Sequence, residues 1–124
     1  MTAEPIEALS PVEASLRDLA LSLPEATEDF PWGERVAKVK GKVFVFLGKP
    51  KEGGISLSLK LPQSAPFALE QPGASPTGYG LGRSGWVTFR YAVGEEPDLE
   101  RLRHWLLESY RAVAPKKLGA LAAL

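Results

Sequence analysis

His104 is the only histidine of the chain, and so the only side chain whose ordinary titration falls near neutral pH. Catalysis through an imidazole requires a nucleophile and an orienting partner within hydrogen-bond reach. The residues one or two helical turns away, Glu100, Arg101, Glu108 and Arg111, are charged and share a polar face with it, so an exposed surface histidine is expected. A zinc site would demand further ligands, and the absence of cysteine removes thiolate nucleophiles, Cys-based metal sites and disulfides together. The paired acids Glu28-Asp29 and Glu95-Glu96 fall in loop-like segments, where solvated carboxylates or helix-start charges account for them. No catalytic residue, no metal and no cofactor is therefore expected, and the chain reads as a binding protein, not an enzyme.

One motif does spell a known phosphate chemistry. Gly80-Leu81-Gly82-Arg83-Ser84-Gly85 has the spacing G-x-G-x-x-G, and with Trp86-Val87 after it mimics the glycine-rich loop that covers ATP in kinases. A dinucleotide fold, however, needs a helix after the glycines where a strand-like run follows here. A kinase needs a lysine strand and catalytic loops for which 124 residues leave no room. The simpler reading is a hairpin turn whose glycines supply positive φ. A second reading stays open, in which the turn's amide groups and the Arg83 side chain hold an anion such as phosphate, with Ser84 beside them at an exposed tip.

The basic side chains form the other candidate surface. Residues 35–60 carry Arg35, Lys38, Lys40, Lys42, Lys49, Lys51 and Lys60 against Glu52 alone, whereas residues 1–34 carry eight acids against Arg17. Lysine plus arginine and aspartate plus glutamate balance at 15 each, so any attraction to a polyanion must come from local convergence. If Lys38 and Lys40 share a sheet face with Ser56, Ser58 and Lys60 on one strand and Trp86, Thr88 and Arg90 on another, cations surround an indole. Such a surface suits phosphate contacts and base stacking. The phase of the hairpin decides this. A two-residue loop at Gly41-Lys42 pairs Val39 with Phe44 and Lys38 with Val45; a three-residue loop pairs Lys38 with Phe44, and only this second register collects aromatics and lysines on one face. Trp32 and Trp86 are also candidates for the core.

The elements that must carry these residues follow from patterning. Ser10-Pro11-Val12-Glu13 spells a capping box with proline at the first helical position, and Val12, Leu16, Leu19, Ala20 and Leu23 form one apolar stripe that ends before Pro24. Glu25 to Gly33 reads as an acidic corner loop. Val36–Lys40 and Val43–Leu47 read as a tight hairpin, and Ile55, Leu57, Leu59 and Leu61 alternate with polar residues as a third strand. Ser64 caps a short helix through Leu69, stopped by Pro72-Gly73. Thr77–Leu81 and Trp86–Tyr91 read as a second hairpin. Pro97-Asp98 opens a last helix whose Leu99, Leu102, Leu106, Ser109, Tyr110 and Val113 share a face until Pro115. The result is one α+β domain over residues 1–124, in the order α-β(3)-α-β(2)-α, with a five-stranded antiparallel sheet in a two-layer arrangement whose second face is open. Residues 1–9 are expected to be a flexible N-terminus and Leu118–Leu124 an apolar tail that packs or frays. No stretch has the length and apolarity of a membrane span, no export signal begins the chain, and cysteine-free composition fits a reducing cytoplasm.

Three longer blocks now resemble a known family. Leu23-Pro24-Glu25-Ala26-Thr27-Glu28-Asp29-Phe30-Pro31-Trp32-Gly33 followed by Gly41-Lys42-Val43-Phe44 is similar to the opening of the MmcQ/YjbR family. Pro76-Thr77-Gly78-Tyr79-Gly80-Leu81-Gly82-Arg83-Ser84-Gly85-Trp86-Val87 and Glu108-Ser109-Tyr110-Arg111-Ala112-Val113-Ala114-Pro115-Lys116-Lys117-Leu118 resemble its later blocks. The likeness runs from about Leu16 to Leu118. It implies the same element order, a shape related to secretion-chaperone-like and double-wing domains, and the DNA-binding label that members commonly carry, a label resting on fold analogy. Members of another branch carry histidine, asparagine and histidine where this chain has Gly80, Gly82 and Gly85.

The expectation is thus an accessory protein that binds DNA or another polyanion. Lys38, Lys40, Lys42, Lys49, Lys51, Arg83 and Arg90 would contact phosphates with Ser84, Trp86 would offer a stacking surface, and Lys116-Lys117 would add a patch. The alternative is a protein-interaction or chaperone-like module, as a homodimer, that uses the open sheet face or a strand edge. An enzyme would need a deep pocket lined by Tyr79, Arg83 and Trp86.

Overall fold

Ser10 and Glu13 close the capping box as the sequence dictates: each side chain bonds the other's backbone N–H at 3.1 Å, and helix α1 runs Pro11–Ser22. In the computed structural model, which describes residues 10–31, 34–48, 54–78 and 80–121, ten further elements follow. They are β1 (Ala26–Asp29), β2 (Arg35–Val39), β3 (Lys42–Gly48), β4 (Ile55–Lys60), α2 (Ala65–Ala68), β5 (Ala74–Pro76), a 3-10 turn (Leu81–Ser84), β6 (Trp86–Tyr91), α3 (Leu99–Val113) and α4 (Lys116–Leu121). The strands form one antiparallel sheet in the order β1-β2-β3-β4-β6-β5. The residues Lys49, Lys51, Trp32 and Tyr79 lie outside the described set.

The sheet has six strands where five were expected. The added one, β1, lies in the acidic corner. Its pattern was unreadable as a strand because its inward position is a carboxylate. Glu28 points under α1, where Arg17 Nε donates to it at 2.7 Å and the Arg35 guanidinium, 9% exposed, binds the same carboxylate. The charge of Glu28 is matched twice over, so a polar residue fills a core-facing site.

The first hairpin follows neither expected register. Lys40 and Gly41 form the two-residue turn with φ of 52° and 79°, the positive values a type I′ turn requires at both positions, and Val39 pairs with Lys42. Lys38 then pairs with Val43 and Ala37 with Val45, which leaves Phe44 as an extra residue, a β-bulge. The bulge lets Phe44 and Val45 both bury on the helix side. The Phe44 ring meets Tyr110 edge-on at 5.1 Å, and its carbonyl accepts the Ser109 hydroxyl, which itself accepts the Lys60 amide at 2.8 Å. The Tyr110 hydroxyl donates to the Pro24 carbonyl at 2.6 Å and ties the end of α1 to α3.

The core lies between the sheet and α1 and α3. Leu57, Leu59, Val87 and Phe89 project from the central strands, and Phe89 stacks on Trp105 with centroids 5.4 Å apart. Trp105 was absent from the stripe read in the sequence, yet it is a principal contact of α3. The second expected hairpin also shifts: β5 is Ala74–Pro76, not Thr77–Leu81, and the glycine-rich stretch forms the 3-10 turn between β5 and β6. Residues 118–121 of the expected tail belong to α4, which packs on the end of α3.

Candidate nucleic-acid interface

Strand register fixes where each basic residue stands. The β2–β3 turn, the last residue of β4, the first of β6 and the 3-10 turn all lie at one end of the sheet, because Lys60 pairs with Trp86 and β3 and β4 are antiparallel. The C-terminus of α3 reaches the same end through Ser109 and Tyr110, and α4 begins just beyond it. This turn end therefore carries Lys40, Lys42, Lys60 and Arg83 on the sheet and Lys116 and Lys117 in the helix layer.

Two of the expected contact residues are engaged elsewhere. Lys38 Nζ lies 2.8 Å from Asp29 Oδ2 and Lys40 Nζ 2.8 Å from Glu25 Oε1, so acids from the N-terminal third answer the first lysines of the basic segment. The hydrogen bond from Lys38, followed by that from the Phe30 amide, holds the Asp29 carboxyl below its ordinary range. Lys42, Arg83, Ser84, Lys116 and Lys117 are exposed, and among the described residues no ion pair engages Lys42, Lys60, Arg83, Lys116 or Lys117. Arg90 is exposed but stands in the other half of β6, 3.5 Å from Ser75 Oγ, away from this group.

Trp86 does not present a stacking platform. It is 8% exposed and packs edge-on against Phe46 at 5.3 Å, on the sheet face away from the helices. That face is less wet than expected, since Ser58, Thr88 and Thr77 bond through their hydroxyls at 2.7 and 2.9 Å and the first two are buried. Small side chains that satisfy one another, beside the Phe46–Trp86 pair, close this part of the face.

The glycine-rich turn also fails as a backbone anion cradle. The amides of Leu81, Gly82, Arg83 and Gly85 donate to the carbonyls of Gly78, Thr77, Gly80 and Gly82, so these donors are consumed inside the loop. Gly80 and Gly85 take positive φ as expected, but Gly82 does not: a Cβ there would meet Pro76 Cβ at 2.8 Å. What the turn offers a phosphate is the Arg83 side chain. Lys60, read in the sequence as sharing a sheet face with Trp86 but not counted among the phosphate contacts, joins this group because the Lys60–Trp86 pairing sets it beside the turn.

The charges segregate along the strand direction. At the turn end Glu25 is held by Lys40, and Glu108 accepts the Gln63 and Ser64 amides at 3.0 Å and the Ser64 hydroxyl at 2.6 Å. Among the described residues the opposite end collects Glu34, Glu95, Glu96, Asp98 and Glu100 together with Arg35, Arg90 and Arg101. A family model described as YjbR matches residues 21–112. The chain belongs to the YjbR family. A solved structure, that of protein DR2400 of Deinococcus radiodurans with its DUF419 domain, is similar to this YjbR chain at 26% identity and a TM-score of 0.68, over 90% of this chain and 88% of that one. No curated protein matches. Among the described residues no helix of the YjbR chain is long and apolar enough to cross a membrane.

Proposed function

We propose that this YjbR protein binds nucleic acid, duplex DNA first, through phosphate contacts made by Lys42, Lys60 and Arg83, with Lys116 and Lys117 extending the contact onto the helix layer. The observation that carries this reading is the segregation of charge, which gives a neutral chain one cationic end whose acids are already bonded. Strands lie about 4.8 Å apart, so the distance from β3 across β4 to β6 spreads Lys42, Lys60 and Arg83 over about 10 Å, enough to meet more than one phosphate. The contacts named are to phosphates, so binding is of the backbone type, weak in sequence preference. Binding without a catalytic step also fits His104, which is exposed on α3. Docking of a partner strand is less favoured, because the edge strands are short, β1 charged and β5 ending in Pro76.

Fluorescence anisotropy with a labelled duplex tests the reading. Saturable binding at low salt is expected, with log K falling against log salt at a slope of about −3 for three neutralised phosphates. The variant K42A/K60A/R83A should lose at least about tenfold in affinity and most of that slope, while Arg90→Ala should change little. Equal binding by the triple variant, or none by the parent protein at micromolar concentration, rejects this role.

A further inference from the structure

At the acidic end a cleft of about 360 Å³ opens between the end of β6, the segment after α2 and the first half of α3. Its volume lies at the lower end of the range typical of small-ligand sites. Tyr91, Pro72, Pro97, Leu102 and Trp105 give it apolar and aromatic walls. Glu95, Glu96 and Asp98 stand around it with one guanidinium, that of Arg101.

Arg101 is already committed. Its Nη1 donates to Gln71 Oε1 at 2.9 Å, and its guanidinium sits 5.1 Å from the Phe67 ring centroid and 5.7 Å from that of Trp105. Asp98 spends one oxygen on the Arg101 amide at the start of α3, and Glu95 spends one on the Ala92 amide. Each keeps a second oxygen, and Glu96 has no bonded partner among the described residues. The Tyr91 hydroxyl registers the surroundings: its pKa is raised, first by burial and then by Asp98, with Glu95 adding and Arg101 opposing.

We propose that this cleft binds a small arylalkyl ammonium compound, its ring against Tyr91 and the prolines and its ammonium toward Glu96, with Glu95 and Asp98 adding negative potential from elsewhere on the rim. Three carboxylates against one occupied guanidinium select a cation, and the aromatic walls add attraction to an ammonium and to a flat apolar body. A compact metal ion fits less well, since among the described residues no cluster of three potential ligands is placed to hold one. The cleft lies at the far end of the sheet from Lys42, Lys60 and Arg83, so this proposal stands apart from DNA binding.

Titration with 2-phenylethylamine, followed by the NMR signals of Tyr91 and the Trp105 indole N–H, tests it. Saturable shifts with a dissociation constant in the millimolar range are expected, at least about tenfold weaker for the neutral isostere 2-phenylethanol. Glu96→Gln should weaken binding about threefold and Glu96→Lys should abolish it, with thermal stability unchanged because Glu96 is exposed in a loop. Shifts that fail to saturate at about 10 mM, that survive in Glu96→Lys, or that are equally strong with 2-phenylethanol or L-phenylalanine would overturn the proposal. Retention of DNA binding by Glu96→Lys would show that the two sites are separate.

Discussion

A single carboxylate does the work of a core side chain beneath α1. Glu28 bonds both Arg17 and Arg35, and the hydrogen bond from Arg17 is the largest cause of its pKa falling below the ordinary 4.5. A group whose folded pKa is depressed lends stability that is present above its unfolded value and lost as pH falls through the folded one. Wild-type protein should therefore lose stability below about pH 4.5. Glu28→Gln should cost about 2–3 kcal/mol at neutral pH, since it leaves the nearly buried Arg35 without its counter-charge, and should flatten the acid limb of a plot of Tm against pH. Parallel curves for the two proteins, measured by calorimetry from pH 3 to 7, would contradict this account. The role of Glu28 was not legible in the sequence, where Glu28-Asp29 reads as a solvated pair. Its partners are 11 positions before and 7 after it, and no local pattern links them.

Among the elements, those with a strong local signal were readable and those defined by tertiary partners were not. The Ser10–Glu13 box and the Ile55–Lys60 alternation each announce themselves within a few residues, and both stand where the sequence places them. The first hairpin was recognised, but its phase was not, because the bulge at Phe44 is set by Tyr110 and Ser109 some 65 positions away. The turn itself carries strain that can be measured. Lys40 holds a left-handed conformation for which lysine has no preference, and its ion pair with Glu25 is half exposed on both sides, worth little in water. Lys40→Asn should accordingly raise stability by about 0.5–1 kcal/mol despite losing that pair, as read from urea unfolding midpoints. A decrease would show that the ion pair outweighs the backbone term.

At the scale of the molecule the α+β class, with helices on one face of an antiparallel sheet, was legible, and so was the family, from three blocks of residues. The candidate site was legible only in part. Lys42, Arg83, Lys116 and Lys117 meet at one end together with Lys60, whereas Lys38 and Lys40 pair with carboxylates and Trp86 packs against Phe46 on the face away from the helices. Composition conceals the polarity that results, because equal totals of acid and base say nothing of where each sign accumulates. If the separation of sign among the described residues holds for the whole protein, it should behave as amphoteric on a column. At pH 7 and low ionic strength it should be retarded by both a sulfonate and a quaternary-amine resin, and about 0.15 M salt, where the screening length is about 8 Å, should release it from each. Passage through either resin in the void volume would mean that its poles are too weak to be felt by any charged surface.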